Sequence, residues 1–201
     1  MPFHSPDLQS SRNRLREQLR QHRSALTQSE ARTAALACAR HLSSSSAFKT
    51  VRHVAGYVSV DRELDPQPLL QRALEAGKSV YLPRIKETNA MEFVAWRAGD
   101  PLRNNRFGIP EPSARDAAVF AAEALDLVLV PLLGFDMRGN RLGFGGGFYD
   151  RAFAFRRLKG APPFLCGYAY DGQHCDELEV AEWDVALDAI VTPSGLHFFS
   201  G

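Results

Sequence analysis

Glycine, arginine and aspartate are concentrated in one short segment of the chain, between residues 139 and 151. Three consecutive glycines, Gly145 to Gly147, follow Arg141 and precede Asp150. Glycines allow main-chain amides to converge on an anion, because no Cβ atom obstructs the approach. A guanidinium such as that of Arg141 can bind a phosphate through two parallel hydrogen bonds. We therefore interpret the segment as a phosphate-binding loop, with a ligand-free tight turn as the alternative.

The elements around this loop favour the same interpretation. The continuous apolar run from 127 to 132 is typical of a buried parallel strand, and a helix is expected from about 148 to 158. A helix N-terminus presents unsatisfied N–H groups and partial positive charge to an anion. The loop is not a Walker A motif, since it lacks Gly-Lys-Ser/Thr, and it comes too late in the chain for a typical dinucleotide-binding fingerprint. These residues alone indicate an anion site of unnamed kind.

Hydrophobic periodicity predicts two N-terminal helices and then alternating strands and helices. Leu15, Leu19 and Leu26 lie on one face of the first helix. Thr27-Gln-Ser-Glu30 resembles a capping box that begins the second helix, which should run to a loop at 43–46. A third helix should begin at Pro66, and strands are predicted at 51–60, 79–82, 91–96, 127–132, 164–170 and 189–192.

This order predicts an α/β fold in a single domain over residues 1–201. We expect a mostly parallel, Rossmann-like sheet flanked by helices, with a helical pair at the N-terminus. Ligands of such sheets bind beyond the carboxyl ends of the strands. The segments expected at the site are therefore 61–65, 83–84, 133–147 and 171–177.

Composition and charge limit the partners. The 201 residues are 45% hydrophobic and carry a formal net charge of +1, which argues against a duplex nucleic-acid binder. Cys38, Cys166 and Cys175 form no CxxC pair, as expected for a reduced cytoplasmic protein. No stretch has the length and apolarity of a signal peptide or a membrane span, and we expect a monomer.

The segment from 135 to 151 also resembles a known family. It reads Phe-Asp-x-x-Gly-Asn-Arg-Leu-Gly-x-Gly-Gly-Gly-x-Tyr-Asp-Arg, and this is similar to the signature of the 5-formyltetrahydrofolate cyclo-ligases, also called methenyltetrahydrofolate synthetases. Phe144 and Gly146 stand where animal members have Arg and Lys, as in the bacterial form. Weaker matches follow in the expected order at 12–16, 63–65, 82–84, 91–93, 107–112 and 184–192.

The resemblance implies an ATP-dependent reaction. In this family ATP phosphorylates the formyl oxygen of 5-formyltetrahydrofolate, and N10 then closes on the activated carbon. Phosphate leaves, and the products are 5,10-methenyltetrahydrofolate, ADP and phosphate, with Mg²⁺ required. The folate is bound with or without additional glutamates. Such phosphoryl transfer depends on positioning and charge neutralisation.

The resemblance also implies residue roles. Catalytic roles fall on Arg141, Tyr149 and Glu63, and substrate contacts on Glu63, Met91, Phe93 and Tyr149, although Met91 and Phe93 would also suit a strand core. Nucleotide contacts are expected from Arg12, Arg16, Arg141, Leu142, Gly143, Phe144, Gly145, Gly146, Gly147, Phe148 and Tyr149.

The assignments of the two arginines and of the metal ligands each have an alternative interpretation. Arg12 and Arg16 lie four residues apart on one helix face, yet they could be a solvated basic face, or the register could slip to Arg14 or Arg20. Asp150 and Asp184 are the metal candidates, with Asp188 third, and capping is the alternative for the last two. Gln173 is a further candidate for the nucleotide. Trp183 stands where the family usually has His, which puts a proton-transfer role there in doubt.

Two other functions remain compatible with these residues. One is a nucleotide- or RNA-binding module that kept the fold without catalysis. The other is an ATP-using enzyme of the same fold that acts on a different small molecule, because fold alone does not fix the substrate.

Overall fold

A mixed eight-stranded sheet lies at the centre of the computed structural model, which describes residues 6–113 and 118–199. From one edge to the other its strands are β12 (Gly195–Phe198), β11 (Ala189–Thr192), β10 (Phe164–Tyr168), β7 (Leu127–Val130), β1 (His53–Ala55), β2 (Ser79–Ile85), β3 (Met91–Trp96) and β6 (Val119–Phe120). The five strands from β11 to β2 are parallel, and the outer strands at both edges are antiparallel. The predicted α/β class with a mostly parallel sheet is confirmed.

Helices cover the sheet, and two small ribbons extend from it. The helices are α1 (Pro6–Ser24), α2 (Gln28–Ser44), α3 (Ser46–Lys49), α4 (Gln67–Glu75), α5 (Phe148–Ala152) and α6 (Arg156–Lys159). Short 3₁₀ turns occupy Ala122–Ala124 and Asp171–Gln173. The ribbons pair β4 (Leu102–Asn104) with β5 (Pro110–Pro112), and β8 (Gly134–Phe135) with β9 (Arg141–Leu142). Within the described ranges, no helix combines the length and apolarity needed to cross a bilayer.

Both faces of the central sheet are buried, as the apolar run of β7 predicts. Leu127 and Leu129 pack on the side of α2 and α4, whereas Val128 and Val130 belong to the core on the other side, with Phe153. Successive side chains of a strand point to opposite faces, so a strand between two helical layers is apolar at every position.

Several predicted boundaries were wrong; β7 ends at Val130 rather than at 132, and β10 ends at Tyr168 rather than at 170. β1 ends at Ala55 rather than at residue 60, so the following residues are free to line a cavity. β2 continues through Pro83 to Ile85; past Tyr81 it pairs with β3 alone, where a missing N–H is tolerated. The expected helix at 148–158 is divided at Phe153, which packs into the core. Ser46, expected in a loop, begins α3 with Ser45 as its N-cap.

The capping box at the start of α2 is confirmed. Thr27 Oγ1 accepts a hydrogen bond from Glu30 N at 3.2 Å, and the Glu30 carboxylate accepts one from Thr27 N at 2.8 Å. These bonds satisfy two main-chain donors at the point where the chain turns from α1 into α2.

Replacement of the capping residue should destabilise the protein without altering its fold. For Thr27→Ala we expect a loss of about 1 kcal/mol in the free energy of unfolding, because the Glu30 amide loses its acceptor. Urea denaturation of the wild type, Thr27→Ala and Thr27→Ser would measure it. Thr27→Ser keeps the hydroxyl and should remain within a few tenths of a kcal/mol of the wild type. Equal losses in both variants would contradict the capping role.

Candidate active site

Two cavities open at the carboxyl end of the parallel strands, on either side of the glycine loop. The polar cavity, of about 110 Å³, is lined by Gln9, Arg12, Arg16, Arg141, Gly143, Gly145, Gly147, Asp150, Trp183 and Asp184. The apolar cavity, of about 410 Å³, is lined mainly by aliphatic and aromatic side chains. Arg141, Gly143, Gly147 and Asp150 line both. The loop is therefore a shared wall between a cationic compartment and an apolar one.

The glycine loop adopts a conformation that side chains would disturb. Gly145 and Gly147 have φ values of 100° and 61°, in the left-handed region. A Cβ atom on Gly147 would lie 2.9 Å from Arg151 Nη1. Gly147 is the residue that precedes α5, so the main chain turns directly from the loop into that helix.

The polar cavity obtains its charge from α1. Arg16 is buried and donates from Nε to the Gly143 carbonyl at 2.9 Å and from Nη1 to Asn13 Oδ1 at 2.7 Å. Arg12 pairs with Asp184 at 3.1 Å. Burial, and then the neighbouring charges of Arg12 and Arg20, lower the pKa of the Arg16 guanidinium. The cavity is therefore a place where an anion would relieve repulsion between cations.

Arg141 lies between the two cavities and is held on both sides. Its Nη2 donates to Asp150 Oδ1 at 2.5 Å, and its Nη1 donates to the carbonyl of Val185. Asp150 Oδ1 also accepts from Val185 N at 3.2 Å. This arrangement fixes the direction of a buried guanidinium, as required of a group that must meet a developing charge.

The apolar cavity is lined by groups that suit a largely apolar ring system. Tyr57 and Val60, which follow β1, form part of its wall, and Met91 of β3 faces it. Phe107 and Phe148 contribute aromatic rings whose centroids are 5.6 Å apart in an edge-on arrangement. Such walls favour stacking and edge contacts with a ring system.

Glu63 and Tyr149 add polar groups to the wall of the apolar cavity, besides those of Asn105, Arg141 and Asp150. Glu63 follows a turn in which Asp61 and Arg62 both have positive φ, and its Oε2 accepts from Val60 N at 3.0 Å. Burial raises the pKa of Glu63 to about 7, against the lowering effects of the Val60 amide and of the nearby Arg23 charge.

The hydroxyl of Tyr149 is buried and makes no hydrogen bond to any residue in 6–113 or 118–199. Burial, with a smaller contribution from the Glu63 charge, raises the pKa of Tyr149 well above its usual value, so the phenol keeps its proton. A buried hydroxyl without a partner in a cavity wall is costly unless a ligand or water completes its bonding.

Some residues predicted for the nucleotide lie on the other side of the loop. Gly143, Gly145 and Gly147 face the polar cavity, as does the Arg12 and Arg16 pair; Arg14 and Arg20 line neither cavity. Four residues line the apolar cavity and not the polar one: Phe144, Gly146, Phe148 and Tyr149.

Three predicted contacts are not at either cavity. Phe93 is fully buried and packs against Phe153 with ring centroids 5.7 Å apart, which is the strand-core alternative. Leu142 is buried among leucines of α1 and the chain after β7. Gln173 donates to the carbonyls of Leu132 and Leu133 at 2.8 and 3.0 Å, and thereby fixes the chain after β7.

The three metal candidates differ in position. Asp150 and Asp184 both line the polar cavity, and Asp184 also accepts from Ala181 N at 2.9 Å, in the capping role. Asp188 lies at the start of β11, at the opposite end of the sheet, where it pairs with Arg156 and accepts from Leu165 N. Among the described residues, no three His, Cys, Asp or Glu side chains form a group that could hold a metal by themselves.

Sequence reasoning missed Arg23, whose side chain is only 1% exposed. It pairs with Asp61 at 3.0 Å, and its guanidinium carbon lies 5.4 Å from the centroid of the Phe144 ring. Residues seven apart recur on one helix face, so the spacing from Arg16 to Arg23 was the available signal. Arg23 therefore joins α1 to the wall of the apolar cavity.

Comparisons with known proteins identify the family. The sequence profile of the 5-formyltetrahydrofolate cyclo-ligase family matches residues 8–193. The chain belongs to this family. It is 38% identical to the 5-formyltetrahydrofolate cyclo-ligase of Escherichia coli (strain K12) over 179 residues, covering 88% of this chain and 97% of the relative. The Haemophilus influenzae protein of the same name is 33% identical over 178 residues, with coverage of 88% and 94%.

A solved structure supports the same assignment. The NMR structure of the 5,10-methenyltetrahydrofolate synthetase of Aquifex aeolicus superposes with a TM-score of 0.80 at 30% identity, covering 94% of this chain and 93% of that one. The fold class is therefore that of the family.

The raised pKa of Glu63 predicts a pH-dependent difference in stability. The folded state holds the proton of Glu63 up to about pH 7, whereas the unfolded chain releases it near 4.5, so the wild type loses stability as pH rises through this interval. Glu63→Gln removes the ionisation and keeps an acceptor for Val60 N. Relative to the wild type, the variant should gain about 3 kcal/mol between pH 5 and pH 8.

Urea denaturation at several pH values would measure this difference. Glu87→Gln, at an exposed position, is the control and should follow the wild type. If the free energy of unfolding changed equally with pH in the wild type and in Glu63→Gln, the pKa of Glu63 would be the same in the folded and unfolded states. That result would contradict the prediction.

Proposed function

We propose that this chain converts 5-formyltetrahydrofolate to 5,10-methenyltetrahydrofolate with consumption of ATP and release of ADP and phosphate. The observation that supports it is the single loop shared by a cationic polar cavity and an aromatic apolar cavity. Transfer of a phosphoryl group to a folate requires these two environments to meet at one wall.

In this proposal the polar cavity binds the phosphates of ATP. Arg12 and Arg16 neutralise negative charge, and the amides of the glycine loop contribute hydrogen bonds. Trp183 lines the same cavity and offers an aromatic face near the nucleotide. The contribution of these groups is to position the γ-phosphate in line with its acceptor.

The apolar cavity then holds the folate with its formyl oxygen toward Arg141. The guanidinium of Arg141 lies in both cavities and would stabilise the charge on the oxygens that exchange the phosphoryl group. After N10 attacks the activated carbon, the C–O bond breaks, and phosphate leaves toward the same cation together with the proton that N10 loses.

Glu63 and Tyr149 would orient the folate. The Tyr149 hydroxyl donates a hydrogen bond to a folate acceptor beside the formyl group. With a pKa near 7, Glu63 can accept from a pterin N–H when ionised or donate when protonated. Met91 supplies an apolar contact for the ring system.

We also propose that Mg²⁺ accompanies ATP in the polar cavity. Two carboxylates, of Asp150 and Asp184, line this cavity, and Mg²⁺ is commonly held by one or two carboxylates together with substrate phosphates and waters. The residues therefore fit an ion that enters with the nucleotide. Bound there, Mg²⁺ would neutralise phosphate charge.

Compartment, assembly and domain organisation complete the proposal. Unpaired cysteines, two of them buried, suit a reducing cytoplasm. We further propose that residues 1–201 act as one domain and as a monomer.

A direct assay tests the reaction. Purified protein with Mg-ATP and 5-formyltetrahydrofolate should produce the near-ultraviolet absorption of the methenyl product, with one ADP formed per product. Omission of ATP is the control. Absence of product with ATP still bound would contradict the reaction and favour a binding module or another substrate. Full turnover after removal of divalent metal with a chelator would contradict the Mg²⁺ proposal.

Arg16 and Arg14 form a matched pair on α1. Arg16 lines the polar cavity, whereas Arg14 is exposed and hydrogen-bonds only to Ser10 among the described residues. Arg16→Gln should raise the KM for ATP at least tenfold, because a partly buried cation that meets phosphate is lost. Arg14→Gln should leave it unchanged. An equal increase in the KM for ATP in both variants, measured in steady-state assays, would contradict this prediction. It would show that the arginines of α1 act through their summed charge and not through contact of Arg16 with phosphate.

A further inference from the structure

Two arginines flank the aromatic rings at the mouth of the apolar cavity. The guanidinium carbon of Arg106 lies 5.0 Å from the centroid of the Phe107 ring, and that of Arg151 lies 5.1 Å from the centroid of the Phe148 ring. The two rings are themselves 5.6 Å apart, and Phe107 is 50% exposed. We call Arg106 and Arg151 the rim arginines.

The rim arginines converge on one residue of the turn between β2 and β3. Arg106 donates to the side-chain oxygen of Asn89, and Arg151 Nη2 donates to the main-chain oxygen of Asn89 at 3.5 Å. Both guanidiniums therefore lie at the same turn. Three segments distant in sequence, the connector after β4, the β2–β3 turn and α5, thereby bring two cations to one region of the surface.

The charges of the rim arginines are not compensated within the described residues. The other acceptors of Arg106 are the carbonyls of Lys86 and Glu87, and that of Arg151 is the carbonyl of Gly146. All are neutral, and neither arginine takes part in an ion pair among residues 6–113 and 118–199. Lys86, in the same turn, differs from the rim arginines because it forms an ion pair with Glu92 at 2.9 Å.

We propose that the rim arginines bind the carboxylates of the glutamyl tail of the folate. This inference rests on the proposed function, because it takes the reacting formyl group to lie at Arg141, in the wall shared with the polar cavity. With that end inside, the aminobenzoyl ring lies toward Phe107 and Phe148, and the glutamate emerges at the mouth. The carboxylates of the tail are the anionic groups of the folate, and they arrive where two cations lack counter-charges.

The same geometry bears on longer tails. Each added glutamate brings another carboxylate to an exposed, positively charged mouth. The rim arginines would therefore bind polyglutamylated 5-formyltetrahydrofolate more tightly than the monoglutamate, mainly through electrostatic attraction that salt weakens.

The test compares substrates with and without the tail. KM and kcat would be measured for 5-formyltetrahydropteroate, which lacks glutamate, and for the mono- and triglutamate forms of 5-formyltetrahydrofolate. The variants are Arg106→Gln, Arg151→Gln and the double variant. Arg103→Gln is the matched control, since Arg103 is an exposed arginine of the adjacent β4.

We expect each rim variant to raise the KM for the monoglutamate about two- to fivefold, the range of an exposed ion pair. The rise should be larger for the triglutamate, absent for the pteroate, and smaller at high salt, with kcat unchanged. Arg103→Gln should match the wild type with every substrate.

The outcomes separate this inference from the proposed function. A wild-type protein that converts none of the three substrates overturns the proposed function and this inference with it. Wild-type turnover combined with an equal rise in KM for pteroate and glutamate forms overturns the inference alone, because the arginines would then act through the aromatic walls. Unchanged KM values in the double variant overturn it as well.

Discussion

The hydrogen bond from Arg16 to the carbonyl of Gly143 joins the N-terminal helix to the glycine loop, and the polar cavity exists because these two elements meet. The sheet alone offers only the carboxyl ends of its strands. The loop supplies main-chain amides and the guanidinium of Arg141, and α1 adds the guanidiniums of Arg12 and Arg16, since Phe144 and Gly146 carry no charge. In the proposed function, phosphate recognition is therefore divided between two elements more than a hundred residues apart in sequence.

Cations around the site are organised by what they pair with. Arg141 is held by Asp150 and by the Val185 carbonyl, and Arg12 by Asp184, so both are fixed in direction. A buried charge without its counter-charge lowers the free energy of unfolding, which explains why a carboxylate pairs with each of these arginines. In this arrangement the same two aspartates orient cations and remain at the cavity where an ATP-bound metal would enter.

Much of this arrangement is local in sequence and could be predicted from it. The glycine run, the β7 apolar run and the capping box at Thr27 each depend on neighbouring residues, and local patterns encode them directly. The carboxyl-edge rule also places Glu63 correctly, since it follows a strand of a parallel sheet. What could not be predicted depends on distant contacts.

The predicted contacts that lie away from both cavities, and the omission of Arg23, have physical causes of that kind. Met91 and Phe93 are two residues apart on β3 and face the same side of the sheet, and only the packing of Phe153 over Phe93 decides that Phe93 is core while Met91 lines the cavity. Gln173 and Asp188 are polar residues that the fold uses to fix its own main chain. Arg23 shares a helix face with Arg16, but its contacts with Asp61 and Phe144 depend on segments distant in sequence.

Packing of α1 has a thermodynamic consequence. Leu19 belongs to a small cluster with Leu133, Leu142 and Leu178, separate from the two large cores that hold α2, α4 and the sheet together. Because this cluster is small among the described residues, we expect α1 to have a local docking equilibrium of its own. If a nucleotide binds Arg12 and Arg16 in the docked form, as proposed, it would stabilise that form by RT ln(1 + [L]/Kd), or about 2.7 kcal/mol at a concentration one hundred times Kd. Occupancy of the proposed site and docking of the helix would then be linked, and each would raise the other.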